Sequence, residues 1–251
     1  MTRVGTAAIG LPLVVGVTYW GPHWMFLGLV AITSTLALDE FLDLAATGRT
    51  SRVGRWFLPL GAAVTASFAL GTDWVLGTFT LALVTLMTVT LAHEVRVTAD
   101  RITAGAAGLA YVSILIGFLV LLPPEAVLSL FGIVWAGDTA AYYGGRALGR
   151  HRLASEISPG KTVEGAVAGA LASLVAGIAL MNVLMGLEAS VLAAGTVLLT
   201  AIAGQTGDLA ESALKRSVGI KDSSGRLPGH GGVLDRIDSL LFAAPVFYFC
   251  L

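Results

Sequence analysis

Long apolar runs separated by short polar stretches dominate this sequence. Nine of the runs are each long enough to cross roughly 30 Å of hydrocarbon as a helix. They cover residues 4–21, 24–45, 56–72, 74–92, 103–122, 125–143, 163–186, 189–210 and 233–251. The runs are continuous rather than alternating, and backbone polar groups in lipid must be paired internally, so helices are expected rather than strands. The pattern predicts an all-α, polytopic membrane helix bundle with about nine transmembrane helices.

The basic residues lie on one side of these spans. The short connections at 21–23, 71–73, 123–125 and 186–188 contain no Lys or Arg, so all 15 basic residues fall on the opposite side. Lys and Arg concentrate in the cytoplasmic loops of membrane proteins. The sequence therefore predicts that the basic side and the N-terminus are cytoplasmic.

Composition agrees with a chain that is surrounded mostly by lipid. Hydrophobic residues make up 56% of the 251 residues and charged residues 12%, which excludes an ordinary water-soluble surface. The 31 glycines permit close helix packing, and the small residues of the N-terminal half also suit a homodimer contact. The single cysteine, Cys250, excludes an internal disulfide.

The chain is expected to form one domain of residues 1–251, with generic spans in 1–124 and the chemistry in 125–251. Further spans directly follow the first run, so we expect that run to be a retained span rather than a cleaved signal peptide.

Polar residues collect in two long stretches on the predicted cytoplasmic side, at about 144–162 and 212–232. Where the second begins, four polar residues are spaced i, i+3, i+4 and i+7 and therefore share one helix face. These residues are Asp208, Glu211, Ser212 and Lys215. Where it ends, Asp235 and Asp238 are three positions apart at the start of the last span.

These acids predict chemistry, because a carboxylate at the rim of an apolar helix is costly to desolvate. Asp208, Asp235 and Asp238 offer hard oxygen ligands without a matching His or Cys cluster, which favours Mg²⁺ over Zn²⁺. The nearby basic residues suit phosphates. They are Lys215, Arg216, Lys221, Arg226 and Arg236. Acids for a metal beside bases for phosphates are typical of phosphoryl or nucleotidyl transfer.

A structural interpretation of the same residues stays open. Asp208 could pair with Lys215 or Arg236 and simply tie two helix ends together.

The stretch SALKRSVGIKDSSGRLPGHGGVLDRID, at 212–238, resembles the signature of the phosphatidate cytidylyltransferases, also called CDP-diacylglycerol synthases. The matching positions are Ser212, Lys215, Arg216, Lys221, Asp222, His230, Gly231, Gly232, Asp235, Arg236 and Asp238. GQTGD at 204–208, SPGKTVEG at 158–165 and WAGDTAAYYGGR at 135–146 are similar to further blocks of that family. The resemblance covers roughly the C-terminal half of the chain.

The resemblance implies a multi-pass enzyme of a bacterial-type inner (plasma) membrane with a cytoplasmic active site. Such an enzyme joins phosphatidic acid to CTP and releases CDP-diacylglycerol and pyrophosphate. It would use Mg²⁺, with K⁺ as a candidate second cation, and would contact membrane lipids but no nucleic acid.

The resemblance also assigns candidate residues. The family's metal-binding acids fall on Asp208 and Asp235, and Asp238 and Asp138 are further candidate ligands. The catalytic candidates are Asp208, Asp235, Lys215 and His230. The substrate-binding candidates are Lys161, Ser212, Arg216, Lys221, Asp222 and Arg236. Gly160 stands where the family often has a second lysine, which leaves Lys161 alone in that block.

Two of these residues allow two interpretations each. Asp138 could hydrogen-bond Tyr142 one turn later, or it could reach the metal site. His230 could bind phosphate or act as a general acid for departing pyrophosphate. Phosphate binding is favoured, because metal-bound pyrophosphate needs little protonation.

Two expectations concern structure alone. Gly144 and Gly145 are expected to end the helix that carries Asp138. A charged rim is expected near the end of the second span, where acids face basic residues. Its members are Asp39, Glu40, Asp43, Arg49, Arg52 and Arg55.

Two other functions are compatible with the pattern. A secondary transporter also uses intramembrane acids and glycine-broken helices, but its acids are expected near the bilayer midplane rather than beside loops. A related transferase or kinase acting on a lipid alcohol would share the phosphate chemistry and differ in the acceptor.

Overall fold

The computed structural model describes residues 2–47, 52–92, 95–226 and 231–251, with side chains from residue 10 onward. Within these ranges the regular secondary structure is helical apart from one two-stranded hairpin.

The chain divides into two compact units, each built from two segments. Unit 1 comprises Met1–Leu121 and Val218–Arg236, and unit 2 comprises Leu122–Ser217 and Ile237–Leu251. The prediction that residues 1–251 form a single domain stays a prediction.

Six helices form the N-terminal part of unit 1. They are α1 (Thr2–Trp20), α2 (His23–Ala46), α3 (Leu58–Ser67), α4 (Thr72–Leu91), α5 (Val95–Gly108) and α6 (Leu115–Leu121). Short 3₁₀ turns at Arg55–Phe57 and Phe68–Leu70 extend α3 at both ends. A π-helical segment at Leu109–Ile114 joins α5 to α6.

Buried hydroxyl groups hold the π-helical segment in the core of unit 1. A π-helical turn departs from the regular hydrogen-bond ladder of a helix. Thr65 of α3 donates to the carbonyl of Ser113 at 3.0 Å, and its hydroxyl lies 2.7 Å from that of Ser34 on α2. All three residues are fully buried, so the irregular turn has its polar contacts inside the protein.

Unit 2 contains three long helices, a hairpin and most of a fourth helix. The elements are α7 (Pro124–Leu148), β1 (Arg152–Ala154), β2 (Ser158–Thr162), α8 (Val163–Met185), α9 (Val191–Ser217) and α10 (Leu234–Cys250). The two strands pair antiparallel, with Arg152 opposite Thr162 and Ala154 opposite Ser158. Helix α10 belongs to unit 2 from Ile237 onward.

Small side chains bring α7 and α8 into direct backbone contact. A β-carbon added at Gly169 would lie 2.9 Å from the carbonyl oxygen of Gly137 and 3.0 Å from the β-carbon of Ala141. Ser173 on the same face of α8 donates to the carbonyl of Ile133 at 2.7 Å. Such close approach is how helices associate where no hydrophobic drive exists between them.

The prediction that Gly144 and Gly145 end α7 is wrong. The helix continues to Leu148, because the two glycines serve packing: a β-carbon at Gly145 would lie 3.6 Å from the α-carbon of Gly165. Gly149 caps this end of the helix, and its N–H donates to the carbonyl of Gly145 at 3.0 Å.

Every predicted apolar run coincides with a helix or with joined helical segments, so the all-α prediction is confirmed. By length and composition, four described helices could cross a membrane. They are His23–Ala46, Thr72–Leu91, Val95–Leu121 and Val163–Met185, and shorter apolar helices lie at Gly10–Trp20 and Arg55–Leu70. The count of nine transmembrane helices and the cytoplasmic N-terminus stay predictions.

The contact between α7 and α8 makes Gly169 intolerant of a side chain. We expect Gly169→Ala to lower the free energy of unfolding by about 1–3 kcal/mol, because its methyl group would overpack against the α7 backbone. The measurement is the thermal unfolding midpoint of the chain in detergent micelles.

Gly195 on α9 is the matched control, since a β-carbon there meets nothing within 4 Å. Gly195→Ala should be neutral or stabilising by about 0.5–1 kcal/mol through its better helix propensity. Equal effects of the two substitutions would contradict this account of the packing.

Candidate active site

The predicted polar face of α9 is confirmed. Ser212 donates to Oδ1 of Asp208 at 3.4 Å, and Lys215 forms an ion pair with Glu211 one turn earlier. Glu211 is fully buried and Lys215 is 9% exposed. A buried ion pair depends on both partners, because removal of one would leave an uncompensated charge.

Lys161 of β2 joins this face from the hairpin. Its Nζ lies 2.6 Å from Oδ2 of Asp208, and both side chains are about one-quarter to one-third exposed, at 26% and 32%. A predicted substrate-binding residue and a predicted metal-binding acid are therefore in direct contact.

The hairpin and the start of α8 hold Lys161 in place. Thr162 caps α8 by accepting a hydrogen bond from the backbone N–H of Gly165 at 3.1 Å. Glu164 accepts from the backbone N–H groups of Arg150 and His151 at 3.0 and 3.2 Å, and lies 2.6 Å from the ring Nδ1 of His151.

Helix α9 is fixed against α8 by a separate contact. The side-chain amide of Gln205 donates to the carbonyl of Ala166 at 3.1 Å. This contact lies one turn before Asp208 on α9 and so sets the position of its carboxylate.

Three carboxylates from different helices of unit 2 lie close enough for their charges to interact. The charges of Asp208 on α9 and Asp138 on α7 both act on the carboxylate of Asp238 on α10, and Lys215 acts on it with the opposite sign. Helices α9 and α10 approach closely at Gly207, where a β-carbon would meet the carbonyl of Asp238. The like charges favour a bound cation at this place.

The two interpretations of Asp138 both stay predictions. The ring of Tyr142 packs edge-on against that of Tyr143, with centroids 5.2 Å apart. The charge of Asp138 acts on the carboxylate of Asp238.

The donor chemistry of these acids fits Mg²⁺, although they do not form a complete shell by themselves. In the described ranges no group of three or more His, Cys, Asp or Glu side chains is arranged to hold a metal ion. Mg²⁺ is commonly bound through one or two carboxylates together with water and substrate phosphates. Asp138, Asp208 and Asp238 supply hard oxygens of this kind, and their role as metal ligands stays a prediction.

Asp235 has a different environment, in the 218–236 segment of unit 1. Its Oδ2 accepts hydrogen bonds from the N–H of Gly232 at 2.7 Å and from the N–H and hydroxyl of Ser223 at 3.1 and 3.0 Å. Gly231 adopts a left-handed φ of 75°, which a residue with a side chain rarely accepts. The carboxylate of Asp235 thus closes the loop onto the start of α10, and its metal-binding role stays a prediction.

Glu40 of α2 holds the same loop through four hydrogen bonds. Its Oε1 accepts from the hydroxyl of Ser224 at 2.6 Å and from the N–H of Val233 at 3.0 Å. Its Oε2 accepts from the N–H of Leu234 at 2.8 Å and lies 3.0 Å from the hydroxyl of Ser223, whose single proton it shares with Oδ2 of Asp235. The side chain is fully buried. Glu40 therefore satisfies N–H groups at the start of α10 that have no partner within the helix.

The predicted charged rim on α2 is confirmed for its other two acids and wrong for Glu40. Asp39 pairs with Arg52 and lies 3.7 Å from Nε of Arg55, and Asp43 lies 2.6 Å from Nε of Arg52. Glu40 turns inward because the loop offers it four donors. Arg49 lies outside the described residues.

Asp39 also binds the loop. It pairs with Arg226, whose other guanidinium nitrogen donates to the carbonyl of Leu36 at 3.3 Å. The hydrogen bond to Asp39 raises the pKa of Arg226 above its ordinary value, so this pair stays charged. A phosphate-binding role for Arg226 would have to compete with this partner.

The remaining candidates are exposed or lie outside the described residues. Four of them have exposed side chains: Arg216, Lys221, Asp222 and Arg236. His230 belongs to the four residues 227–230 that the structure does not describe. Their substrate-binding and catalytic roles stay predictions.

The sequence did not predict that Glu40 is buried and binds the loop before α10. A carboxylate inside the apolar run 24–45 was itself a signal, because a buried acid requires partners. The sequence could not reveal that those partners lie 183 to 194 positions further along the chain.

Replacement of Glu40 by Gln should loosen the loop while preserving side-chain size. The amide nitrogen cannot accept, so at least one buried N–H at Val233 or Leu234 would lose its partner, at a cost of about 1–3 kcal/mol. Hydrogen exchange followed by mass spectrometry should report faster exchange across 231–235 in the variant.

Asp43→Asn is the matched control for Glu40→Gln, because Asp43 lies nearly one turn away on α2 and its side chain is 49% exposed. We expect it to change exchange in the loop little, since exposed ion pairs contribute about 0–1 kcal/mol. Unchanged exchange in both variants would refute the role of Glu40.

Comparison with known proteins gives matches over the full chain and over about half of it. The description "cytidylyltransferase family" belongs to a family model that matches residues 1–251. A phosphatidate cytidylyltransferase of Brucella suis is 48% identical over 125 residues, which cover 49% of this chain and 45% of that protein. One of Staphylococcus haemolyticus is 46% identical over 121 residues, covering 48% of this chain and 46% of that protein.

A third relative aligns over most of both chains. It is the uncharacterized protein YnbB of Escherichia coli, 33% identical over 252 aligned positions that cover 91% of this chain and 80% of that protein. The matches to the two phosphatidate cytidylyltransferases span slightly less than half of their length. Because the family model covers every residue, the chain belongs to the cytidylyltransferase family.

Proposed function

We propose that this protein transfers the cytidylyl group of CTP to phosphatidate and produces CDP-diacylglycerol and pyrophosphate. In this reaction a phosphate oxygen of the lipid bonds to the α-phosphorus of CTP. The bond from that phosphorus to the bridging oxygen breaks, and pyrophosphate leaves with the electron pair.

The observation that carries the proposal is membership of the cytidylyltransferase family over residues 1–251. Two relatives that match about half of the chain at 46% and 48% identity are named phosphatidate cytidylyltransferases. The apolar helices support a lipid substrate, since four of them are long and apolar enough to cross a membrane. The transporter and lipid-alcohol alternatives have no comparable support.

The charged residues of unit 2 support the phosphate chemistry. Lys161 now neutralises Asp208 at 2.6 Å, and its partly exposed ammonium group could exchange that carboxylate for a nucleotide phosphate. Lys215 is buried beside Glu211, where it compensates negative charge near Asp238. These fixed charges would orient the triphosphate and reduce repulsion between the two anionic substrates.

Mg²⁺ bound by Asp138, Asp208 and Asp238 of unit 2 would neutralise phosphate charge and polarise the α-phosphorus. Asp235 remains a candidate ligand on the family resemblance alone. K⁺ as a second cation is part of the same proposal. Ser212, already in contact with Asp208 at 3.4 Å, would help to orient that carboxylate.

We further propose nine transmembrane helices, a cytoplasmic N-terminus and an active site on the cytoplasmic side of an inner (plasma) membrane. The confinement of all 15 basic residues to one predicted side supports this orientation. Membrane lipids and a second copy of the chain are the proposed partners, with no nucleic acid.

The decisive experiment measures pyrophosphate release by detergent-purified protein supplied with phosphatidate, CTP and Mg²⁺. Asp208→Asn and Asp238→Asn should each lower turnover by about 100-fold or more, because each removes a carboxylate that would hold Mg²⁺ at the reacting phosphates. Removal of Mg²⁺ with a chelator should abolish turnover, and its return should restore it.

Asp73→Asn is the control for loss of a carboxylate, since Asp73 is exposed in the first turn of α4. It should retain wild-type turnover. Turnover that is equal in all variants would remove the site assignment. Failure of CTP and phosphatidate to react in folded protein would overturn the proposed function.

A further inference from the structure

A small pocket in unit 1 lies where several membrane helices end. Its volume is about 190 Å³, and its lining includes the guanidinium-bearing residues Arg52 and Arg101. Gly54, Trp56 and Thr90 complete the polar and aromatic part of its wall. None of these residues belongs to the proposed reaction site in unit 2.

Arg101 has an unusual environment for a charged side chain. It lies in the second turn of α5, and its Nε is shielded from solvent. In the described part of the chain no acceptor forms a hydrogen bond with this nitrogen. A buried charged donor without an acceptor is costly, which is explained if a ligand supplies the acceptor.

Arg52 contributes a second guanidinium whose charge is partly balanced. It pairs with Asp39, and its Nε lies 2.6 Å from Oδ1 of Asp43 without the alignment of a hydrogen bond. The pocket therefore presents two guanidinium groups, and among the described residues only that of Arg52 has an acidic partner. Such a pair attracts an anion of low charge more readily than a cation or a neutral group.

Arginine pairs favour phosphate oxygens in particular. The planar guanidinium presents its donors as a fork that matches phosphate and carboxylate oxygens. The volume of about 190 Å³ is below the roughly 300–1,000 Å³ of sites that enclose a drug-sized ligand. The pocket therefore suits a phosphate group rather than a whole nucleotide.

The position of the pocket favours a lipid as the source of that phosphate. Helix α4, which ends at Leu91, and the helix that starts at Val95 are both candidate membrane spans. Thr90 and Arg101 thus flank the end of one span and the beginning of the next. Trp56 at the pocket is 41% exposed, and tryptophan prefers the headgroup level of a bilayer. Basic pockets between membrane helices bind anionic headgroups.

We propose that this pocket, with Arg101 as its principal contact, binds the phosphate group of an anionic membrane lipid. The binding is independent of the proposed transfer reaction and needs no turnover. Phosphate is the shared chemistry of lipid headgroups and soluble phosphate, and the experiment distinguishes these sources.

The test is isothermal titration calorimetry, which measures the heat of lipid binding to the full chain in an uncharged maltoside detergent. The probes are short-chain phosphatidylglycerol, a diacylglycerol with the same acyl chains, and inorganic phosphate. Phosphatidylglycerol is chosen because it is not the proposed substrate, so failure of this site leaves the proposed function untouched. We expect Arg101→Gln to weaken phosphatidylglycerol binding about tenfold or more.

Arg96→Gln is the matched control, because Arg96 is an exposed basic residue on the same helix. It should bind phosphatidylglycerol within about twofold of the wild type, since a distant exposed charge contributes little. The diacylglycerol, which lacks a phosphate, should show no dependence on Arg101.

Arg101→Lys is the second variant, for the case in which Arg101→Gln does not fold. It keeps the positive charge of the side chain but loses the planar guanidinium fork. It should bind with intermediate affinity. Inorganic phosphate that binds in an Arg101-dependent way, when phosphatidylglycerol does not, would keep the phosphate site and reject the lipid source. Wild-type affinity for both anions in folded Arg101→Gln or Arg101→Lys would overturn the proposal.

Discussion

Polar groups on these apolar helices depend on partners inside the protein, because hydrocarbon offers them none. Many threonines donate to the carbonyl four residues earlier, as Thr18, Thr35, Thr85 and Thr200 do. Ser173 donates across to α7, and Thr65 serves the irregular turn at Ser113. The same requirement governs the acids, whose charge makes an unpaired position far more costly.

The acids meet this requirement in two contrasting ways. The carboxylates of Glu40 and Asp235 accept several short hydrogen bonds from peptide and hydroxyl groups, which fills their oxygens and fixes a loop. Asp138 and Asp208 instead act on Asp238 as like charges, with Lys161 and Lys215 nearby. The first arrangement is a structural solution. The second places like charges near one another. A bound cation together with a phosphorylated ligand would offset their repulsion.

The local features were predictable from sequence, and the long-range ones were not. Apolar run length predicted each helix, and the i, i+4 spacing predicted the polar face from Asp208 to Lys215. The hairpin at β1 and β2 gave no signal, because three- and five-residue strands are too short to show alternation. The glycines of α7 resemble a helix end in sequence, yet they serve contact with α8, which only the fold reveals. Glu40 stayed hidden because its donors come from the opposite end of the chain.

The hydrogen bonds that Glu40 accepts from the 218–236 segment limit how the gene could be divided or recombined. The signature stretch at 212–238 contains the longest block of the family resemblance, and it invites the idea of a transferable C-terminal module. Ser223, Ser224 and the first N–H groups of α10 nevertheless rely on an acceptor from α2. A chimaera that takes the stretch without a matching second helix would inherit the motif but not the group that shapes it.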